Sequence, residues 1–206
     1  VELDSNGYIY ATLEKNVNKN KKNIGFIAHV DTAPSFNGKN VNPIVIDKYD
    51  GNDIVLNEKK DIVLKTKDFP EILNYKGQEL IVTDGTSLLG ADDKSGIAVI
   101  MALAEYLQKN TDIPHGKIRI LFTCDEEIGR GVNRVDMNKL DADIGYTLDG
   151  SYLGVIEDET FSADAVSVHI KGVVEHPGYA FEKLKSALKG AAAYVNALPH
   201  DHLSPE

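Results

Sequence analysis

Residues 1–155 predict an α/β layer sandwich with a largely parallel central sheet, and three observations carry that reading. Short, mainly apolar runs at Ile24–Ala28, Lys117–Thr123 and Ile144–Leu148 do not alternate with polar residues, as suits strands buried on both faces. A helical stretch lies between the first two, where Ile97, Ile100, Leu103, Ala104 and Leu107 make one face of 94–109 apolar. Acids or a histidine then end each run: His29-Val30-Asp31, Asp125-Glu126-Glu127 and Asp149. Strands alternating with helices give a parallel sheet, and its functional loops sit at the carboxyl ends of the strands.

In chain order, residues 1–14 read as a hairpin. Val1–Leu3 and Tyr8–Leu13 flank Ser5-Asn6-Gly7, and Asn-Gly accepts the positive φ a tight turn needs. Asn16–Asn23 is a Lys/Asn loop, and Ile24–Ala28 is the first buried strand. Residues 35–78 are polar and broken by Gly and Pro, with strand-like pieces at Ile44–Ile46 and Ile62–Leu64 and a short helix at Phe69–Tyr75. Glu79–Thr83 resumes strand character and leads through a Thr83-Asp84-Gly85-Thr86 turn to Gly90-Ala91-Asp92-Asp93-Lys94-Ser95-Gly96, where the helix begins. Lys117–Thr123 is the next strand, 131–141 a short helix, and Ile144–Leu148 a last strand ending at Asp149-Gly150.

The texture changes after 153–157. Ala163–Lys171 alternates apolar and polar residues like a half-exposed strand, His176-Pro177-Gly178 is a turn, and Phe181–Leu198 is an amphipathic helix with Leu184, Leu188, Ala191 and Val195 on one face. One strand and one helix cannot bury a core of their own. Residues 156–206 therefore read as the first part of a second, α+β domain, its helix face expected to lack a cover. Val1–Asp4 carries no Met, so the chain is expected to start within a longer one.

A net charge of −10 excludes a nucleic-acid partner, whose phosphates need a basic surface. No apolar run approaches the ~20 residues of a membrane span. A lone cysteine, Cys124, allows no internal disulfide and suits a reducing, cytoplasmic setting. With no basic neighbour in sequence, it reads as a structural thiol rather than a nucleophile.

The chemistry lies in the acids. Adjacent acids at a helix start are ordinarily caps that meet unpaired N–H groups and the positive end of the dipole. For Asp92 that reading competes with another: four segments delivering hard ligands to one rim of a sheet would build a metal site. In His29-Val30-Asp31 the i and i+2 side chains of a strand point the same way, so the carboxylate can stand behind the imidazole and set its tautomer. Glu126 and Glu127 point in opposed directions, one able to bind metal and the other to act as general base. Each cluster alone is weak; the order His, Asp, Glu-Glu, Asp, each after a buried strand, is the specific signal.

Gly25–Thr32, Thr83–Lys94, Phe122–Gly129, Tyr146–Gly150 and His176-Pro177-Gly178 together resemble the tripeptide aminopeptidase branch of the co-catalytic zinc peptidases, the family that includes carboxypeptidase G and succinyl-diaminopimelate desuccinylase. The resemblance covers essentially the whole chain and implies that family's three-layer sandwich, followed by the first part of a lid, or dimerisation, domain. It implies two zinc ions bridged by Asp92, with His29, Asp92 and Asp149 on one and Asp92 and Glu127 on the other. Glu126 would be the general base, Asp31 the partner behind His29, and Asp92–Asp93 a cis peptide. His176 would match a lid histidine that steadies the oxyanion, in some relatives across a subunit interface, so a homodimer through the lid is also implied.

The substrate would be a tripeptide with a free N-terminus. Family members also carry a last ligand histidine far downstream, for which His200 and His202 lie too early, and Ala180–Leu188 departs from the small, polar run usual after the His-Pro-Gly turn. The chain is thus expected to be about the N-terminal half of an enzyme, with one complete zinc site. Two other readings stay open: a related zinc deacylase or dipeptidase, and a metal-binding module without catalysis. Glu126, useless to a purely structural metal site, argues against the second.

Overall fold

The computed structural model describes residues 1–19, 21–160 and 164–199. Its chain divides into two units, Val1–Glu157 and Asp158–Glu206.

The first unit opens with β1 (Glu2–Leu3) and β2 (Ile9–Leu13), paired antiparallel about a turn. The Asp4 carboxylate accepts the N–H groups of Asn6 (2.8 Å) and Tyr8 (2.9 Å), and Gly7 takes φ +87°, so the turn residues do what their chemistry predicts. β3 (Ile24–His29), β4 (Pro43–Ile46), β5 (Ile54–Asn57), β6 (Ile62–Leu64) and β7 (Leu80–Thr83) follow, with a 3-10 turn at Pro70–Tyr75. Then come α1 (Ala91–Lys109), β8 (Ile118–Thr123), α2 (Met137–Leu140) and β9 (Ile144–Thr147).

Five strands form the central sheet in the order β1-β2-β8-β3-β9. Its core, β8-β3-β9, is parallel, and β2 and β1 add antiparallel strands at one edge. Alternation along β8 sorts the two faces. Leu121 points to one, where Tyr8, Tyr10 and Leu140 are buried with Ile27 and Val135 against them. Ile120 and Phe122 point to the other, where Ala28 and Ile100 close the core with Ile97 and Ala104 of α1. The register explains the sorting: Tyr10 and Ile27 both sit beside Leu121, and Ala11 and Phe26 beside Ile120. With α1 on one face and α2 on the other, the unit has three layers.

Three differences from the sequence reading concern this unit. β7 is not a central strand: it pairs with β4 outside the main sheet, and its outward residue Ile81 is 54% exposed. Asp92 is therefore delivered by a helix start, not by the end of a buried strand. β5, which pairs with β6, had no periodicity to betray it in a polar stretch; cross-strand pairing makes it a strand. The helix read over 131–141 shrinks to Met137–Leu140, because the Asp136 carboxylate caps it by accepting from Asn138 and Lys139.

In the second unit, Ala163, His200 and His202 lie outside the described residues. Residues 164–171 form no strand, and Val166, Val168 and Ile170 are exposed like the polar residues between them. Alternation supplies one apolar face but no neighbour to pair with, and the only bridge among the described residues of this unit joins Val173 to Lys185. α3 runs over Ala187–Ala197 rather than from Phe181. Glu182 at φ +61° cannot be helical, and the Ser186 hydroxyl caps the true start by accepting from Lys189 (3.2 Å). Leu184, before the helix, and Leu188, on it, are both exposed.

Candidate metal centre

β3, β8 and β9 run parallel, so their carboxyl ends share one rim. His29 ends β3 opposite Thr123 at the end of β8, and Val30 N–H donates to Thr123 O (2.9 Å). Leu148 N–H donates to Ile27 O (2.9 Å), which carries Asp149 to the same rim. The His29 ring, 2% exposed, is the centre of the cluster. Its Nε2 lies 2.9 Å from Asp92 Oδ1, 3.7 Å from Asp149 Oδ2 and 3.8 Å from Glu126 Oε2. Glu127 offers an oxygen within 4.8 Å of ligand atoms on His29 and Asp92, and Asp93 and Asp149 make a second such triad with His29. A cleft of about 530 Å3 opens beside them, lined by His29, Glu126, Val132, Met137, Thr147 and Asp149 among others.

Asp31 acts on two partners. Its main-chain oxygen lies 3.1 Å and its carboxylate 3.3 Å from His29 Nδ1, so both favour a proton on that nitrogen; Asp92 Oδ1, 2.9 Å from Nε2, favours one there as well, whose place a bound metal would take. The same carboxylate accepts the N–H groups of Glu126 (3.3 Å) and Glu127 (3.1 Å). Burial by itself would raise the Asp31 carboxyl, but those N–H groups outweigh it and hold it below the ordinary range. One side chain thus fixes the imidazole and the loop that bears both glutamates.

Asp93 is the residue that sequence reasoning missed. Only 1% exposed, it accepts from His29 N–H through Oδ2 (3.1 Å) and from Gly96 N–H through Oδ1 (3.2 Å). It is the cap of the regular part of α1, since Asp92 and Asp93 themselves have non-helical φ/ψ, and it ties that cap to the end of β3. The Asp93-x-x-Gly96 spacing was the available signal, because an N-cap carboxylate meets the N–H three residues on. The two acids divide the two readings between them: Asp93 caps, and Asp92 faces the imidazole. The peptide bond joining them is cis. Gly96 is dictated by the same packing, since a Cβ there would overlap the Leu148 main-chain oxygen and the Asp93 carboxylate.

The electrostatics fit a cation. Burial lowers the affinity of His29 for a proton, but the Asp92 hydrogen bond and the charges of Asp149 and Asp31 reverse this and raise its pKa. Burial, with Asp93 and Asp92 alongside, pushes Asp149 up to about 6. The neighbouring acids contribute to both shifts, and a bound metal ion would relieve that negative charge. One imidazole nitrogen and several carboxylate oxygens are a donor set that zinc accepts. His176 belongs to the second unit, where its Nδ1 accepts from Gly178 N–H (3.1 Å). Cys124 donates to Asn6 O (3.4 Å), and burial followed by the Asp125 charge pushes its thiol up, away from nucleophile chemistry.

Residues 82–202 match the model of peptidase family M20/M25/M40. The chain is 51% identical over 203 residues to peptidase T of Clostridium botulinum, covering 98% of itself and 50% of that protein. It is 53% identical over 199 residues to peptidase T of Geobacillus thermodenitrificans, covering 97% and 48%. It thus spans about half the length of the curated relatives it matches. Among solved structures, the aminopeptidase PepT of Bacillus cereus aligns with a TM-score of 0.57 at 27% identity, over 94% of this chain and 43% of that one. A tripeptidase of Staphylococcus aureus has the same fold, with a TM-score of 0.55 at 23% identity over 93% and 42%.

Proposed function

The chain belongs to peptidase family M20/M25/M40, and on that premise we propose that its protein is a metal-dependent aminopeptidase that removes the N-terminal residue from tripeptides. The family is metal-dependent, and clustered groups able to hold a metal are present. The observation that carries the proposal is the convergence of Asp92, Glu126 and Asp149 within 3.8 Å of one buried imidazole nitrogen.

His29, Asp92 and Asp149 would hold one zinc ion, and Asp92, shared between the two, would hold a second with Glu127. When bound, the metal supplies a Lewis acid that makes water a nucleophile at neutral pH and polarises the scissile carbonyl. Glu126, at the mouth of the cleft, takes the proton of the attacking water and returns it to the leaving amine. Asp31 keeps Glu126 in place through its main-chain N–H and keeps the His29 proton on Nδ1. His176, from the lid, would steady the oxyanion, its own or a partner's in a homodimer. Residues 1–155 are the catalytic part in this reading and 156–206 the beginning of the lid.

No helix among the described residues is long and apolar enough to cross a membrane. A cytoplasmic setting, supported by the lone Cys124, belongs to the same proposal, as does the absence of a nucleic-acid partner on so acidic a chain. The test is tripeptide turnover by the protein of the full reading frame, assayed by release of the N-terminal residue. Turnover is expected, with loss on chelation and loss of several orders of magnitude in Glu126→Ala at unchanged metal content. Hydrolysis of N-acylated substrates in preference to free tripeptides would favour a deacylase, and no turnover with metal bound would favour an interaction module.

A further inference from the structure

The chain has only three arginines: Arg119, Arg130 and Arg134. Arg119 is occupied, its guanidinium donating to the main-chain oxygens of Leu140 (2.8 Å) and Lys139. The other two stand together on the loop that follows Glu126 and Glu127. They line a pocket of about 210 Å3 with Asn6, Tyr8, Asp125 and Asn133. Tyr8, 2% exposed, is its rigid floor, and Arg134 Nη1 reaches Asn6 Oδ1 (3.4 Å) across the gap. The main chain holds the wall: Arg130 N–H donates to Asp125 O (2.8 Å) and Asn133 N–H to Arg130 O (3.1 Å). Although Asp125 lines the pocket, among the described residues no carboxylate lies within 4.0 Å of either guanidinium; the lysine pairs are Lys109–Glu105, Lys117–Asp141 and Lys139–Glu2.

On a chain of net charge −10, two guanidinium groups without a carboxylate partner, beside the Asn133 amide in a concavity, are a donor-rich site, with the Asn6 amide turned away to donate to Asp4 Oδ2 (3.3 Å). Guanidinium groups match carboxylate and phosphate oxygens two bonds at a time. A pocket of that volume admits a group of a few heavy atoms. We propose that Arg130, Asn133 and Arg134 bind a small oxyanion, a carboxylate or a phosphate, on the outer side of the loop whose inner side carries Glu126. The loop is thin here. Gly131 and Val132, between the pocket residues, line the metal-centre cleft, and a Cβ on Gly131 would lie 3.0 Å from Glu126 Cα. An anion held by Arg130 and Arg134 therefore braces the segment that positions the proposed general base. This site is separate from the peptidase reading and stands without it.

The test uses the 206-residue chain stripped of metal by chelator, so that an anion cannot be captured by zinc. Inorganic phosphate and N-acetyl-dialanine, a peptide carboxylate without a free amine, are titrated by calorimetry at constant ionic strength against sodium chloride. Saturable binding at one site per chain is expected, weakened at least tenfold in Arg130→Gln/Arg134→Gln. Preference for phosphate identifies a free oxyanion as the ligand class, and preference for the blocked peptide identifies a peptide C-terminus. No saturable binding of either, or binding unchanged in the double variant, overturns the proposal. Should the variant misfold, phenylglyoxal labelling of the wild-type chain decides: the anion should protect Arg130 and Arg134, and absence of that protection counts against the site.

Discussion

Gly96→Ala isolates the packing that assembles the candidate metal centre. A methyl group at this position would lie far inside contact distance of the Leu148 main-chain oxygen and Asp93 Oδ1, with Asp93 Cγ at 3.1 Å. Neither neighbour can swing away. Leu148 is fixed by its N–H bond to Ile27 O, and Asp93 is buried between the N–H groups of His29 and Gly96. Forcing a methyl group into such a site costs about 3 kcal/mol, the upper end of overpacking, because rigid backbone is displaced. Alanine regains about 1 kcal/mol of helix propensity over glycine. The net loss is about 2 kcal/mol, or about 4–8 °C in Tm for a domain of this size. Denaturant unfolding followed by circular dichroism measures it, and zinc titration should show weakened binding, since Asp149 follows Leu148 directly. A variant as stable as wild type with unchanged zinc affinity would refute the packing argument. Ala98→Gly, on an exposed position of the same helix, is the control and should cost only about 1 kcal/mol.

Asp31→Ala removes the acceptor shared by Glu126, Glu127 and His29, and should weaken zinc binding about 10–100-fold, the usual effect of losing a group behind a metal-ligating histidine; calorimetry reads it. With a single imidazole among the clustered groups, the 206-residue chain should bind one zinc ion tightly and a second weakly, which metal analysis after dialysis checks; two equally tight ions would show that carboxylates alone complete the second site. Asp53 accepts from the main chain and hydroxyl of Thr66, both at 2.8 Å, which lowers its pKa below 3.8. Below that value the unfolded chain binds the proton first, so this stabilisation is present above pH ~4 and fades as pH falls further. Asp53→Asn should flatten the acid limb of stability against pH, measured by unfolding at pH 3–6.

How much was legible in the sequence depended on how local the cause was. His29, Asp31, Glu126 and Glu127 could be picked out because they interrupt apolar runs, and a parallel sheet brings all such interruptions to one rim. Asp92 was visible for a different reason than the one that places it, since β7 leaves the central sheet and a helix start does the delivery. The strand read over 163–171 did not form over its described residues 164–171, because pairing is a property of two segments. The helix read from Phe181 failed at Glu182, where one backbone angle outweighed the periodicity of its neighbours.

By itself, then, the sequence determined the elements whose burial is written in their own residues: the apolar strands β3, β8 and β9, the amphipathic face of α1 and the turn at Asn6-Gly7. It also carried the donor types at the rim, because imidazole and carboxylate are ligands that zinc accepts whatever the fold. Only the tertiary structure decided which acid does what. Asp92 and Asp93 are neighbours of the same kind, yet one meets the His29 ring while the other is buried against two main-chain N–H groups. The choice is made by the approach of α1 to β3 and β9, close enough that only glycine fits at position 96. Hydrogen bonds between segments more than sixty residues apart have no signature in either segment, so that assignment becomes physical only when the chain has packed.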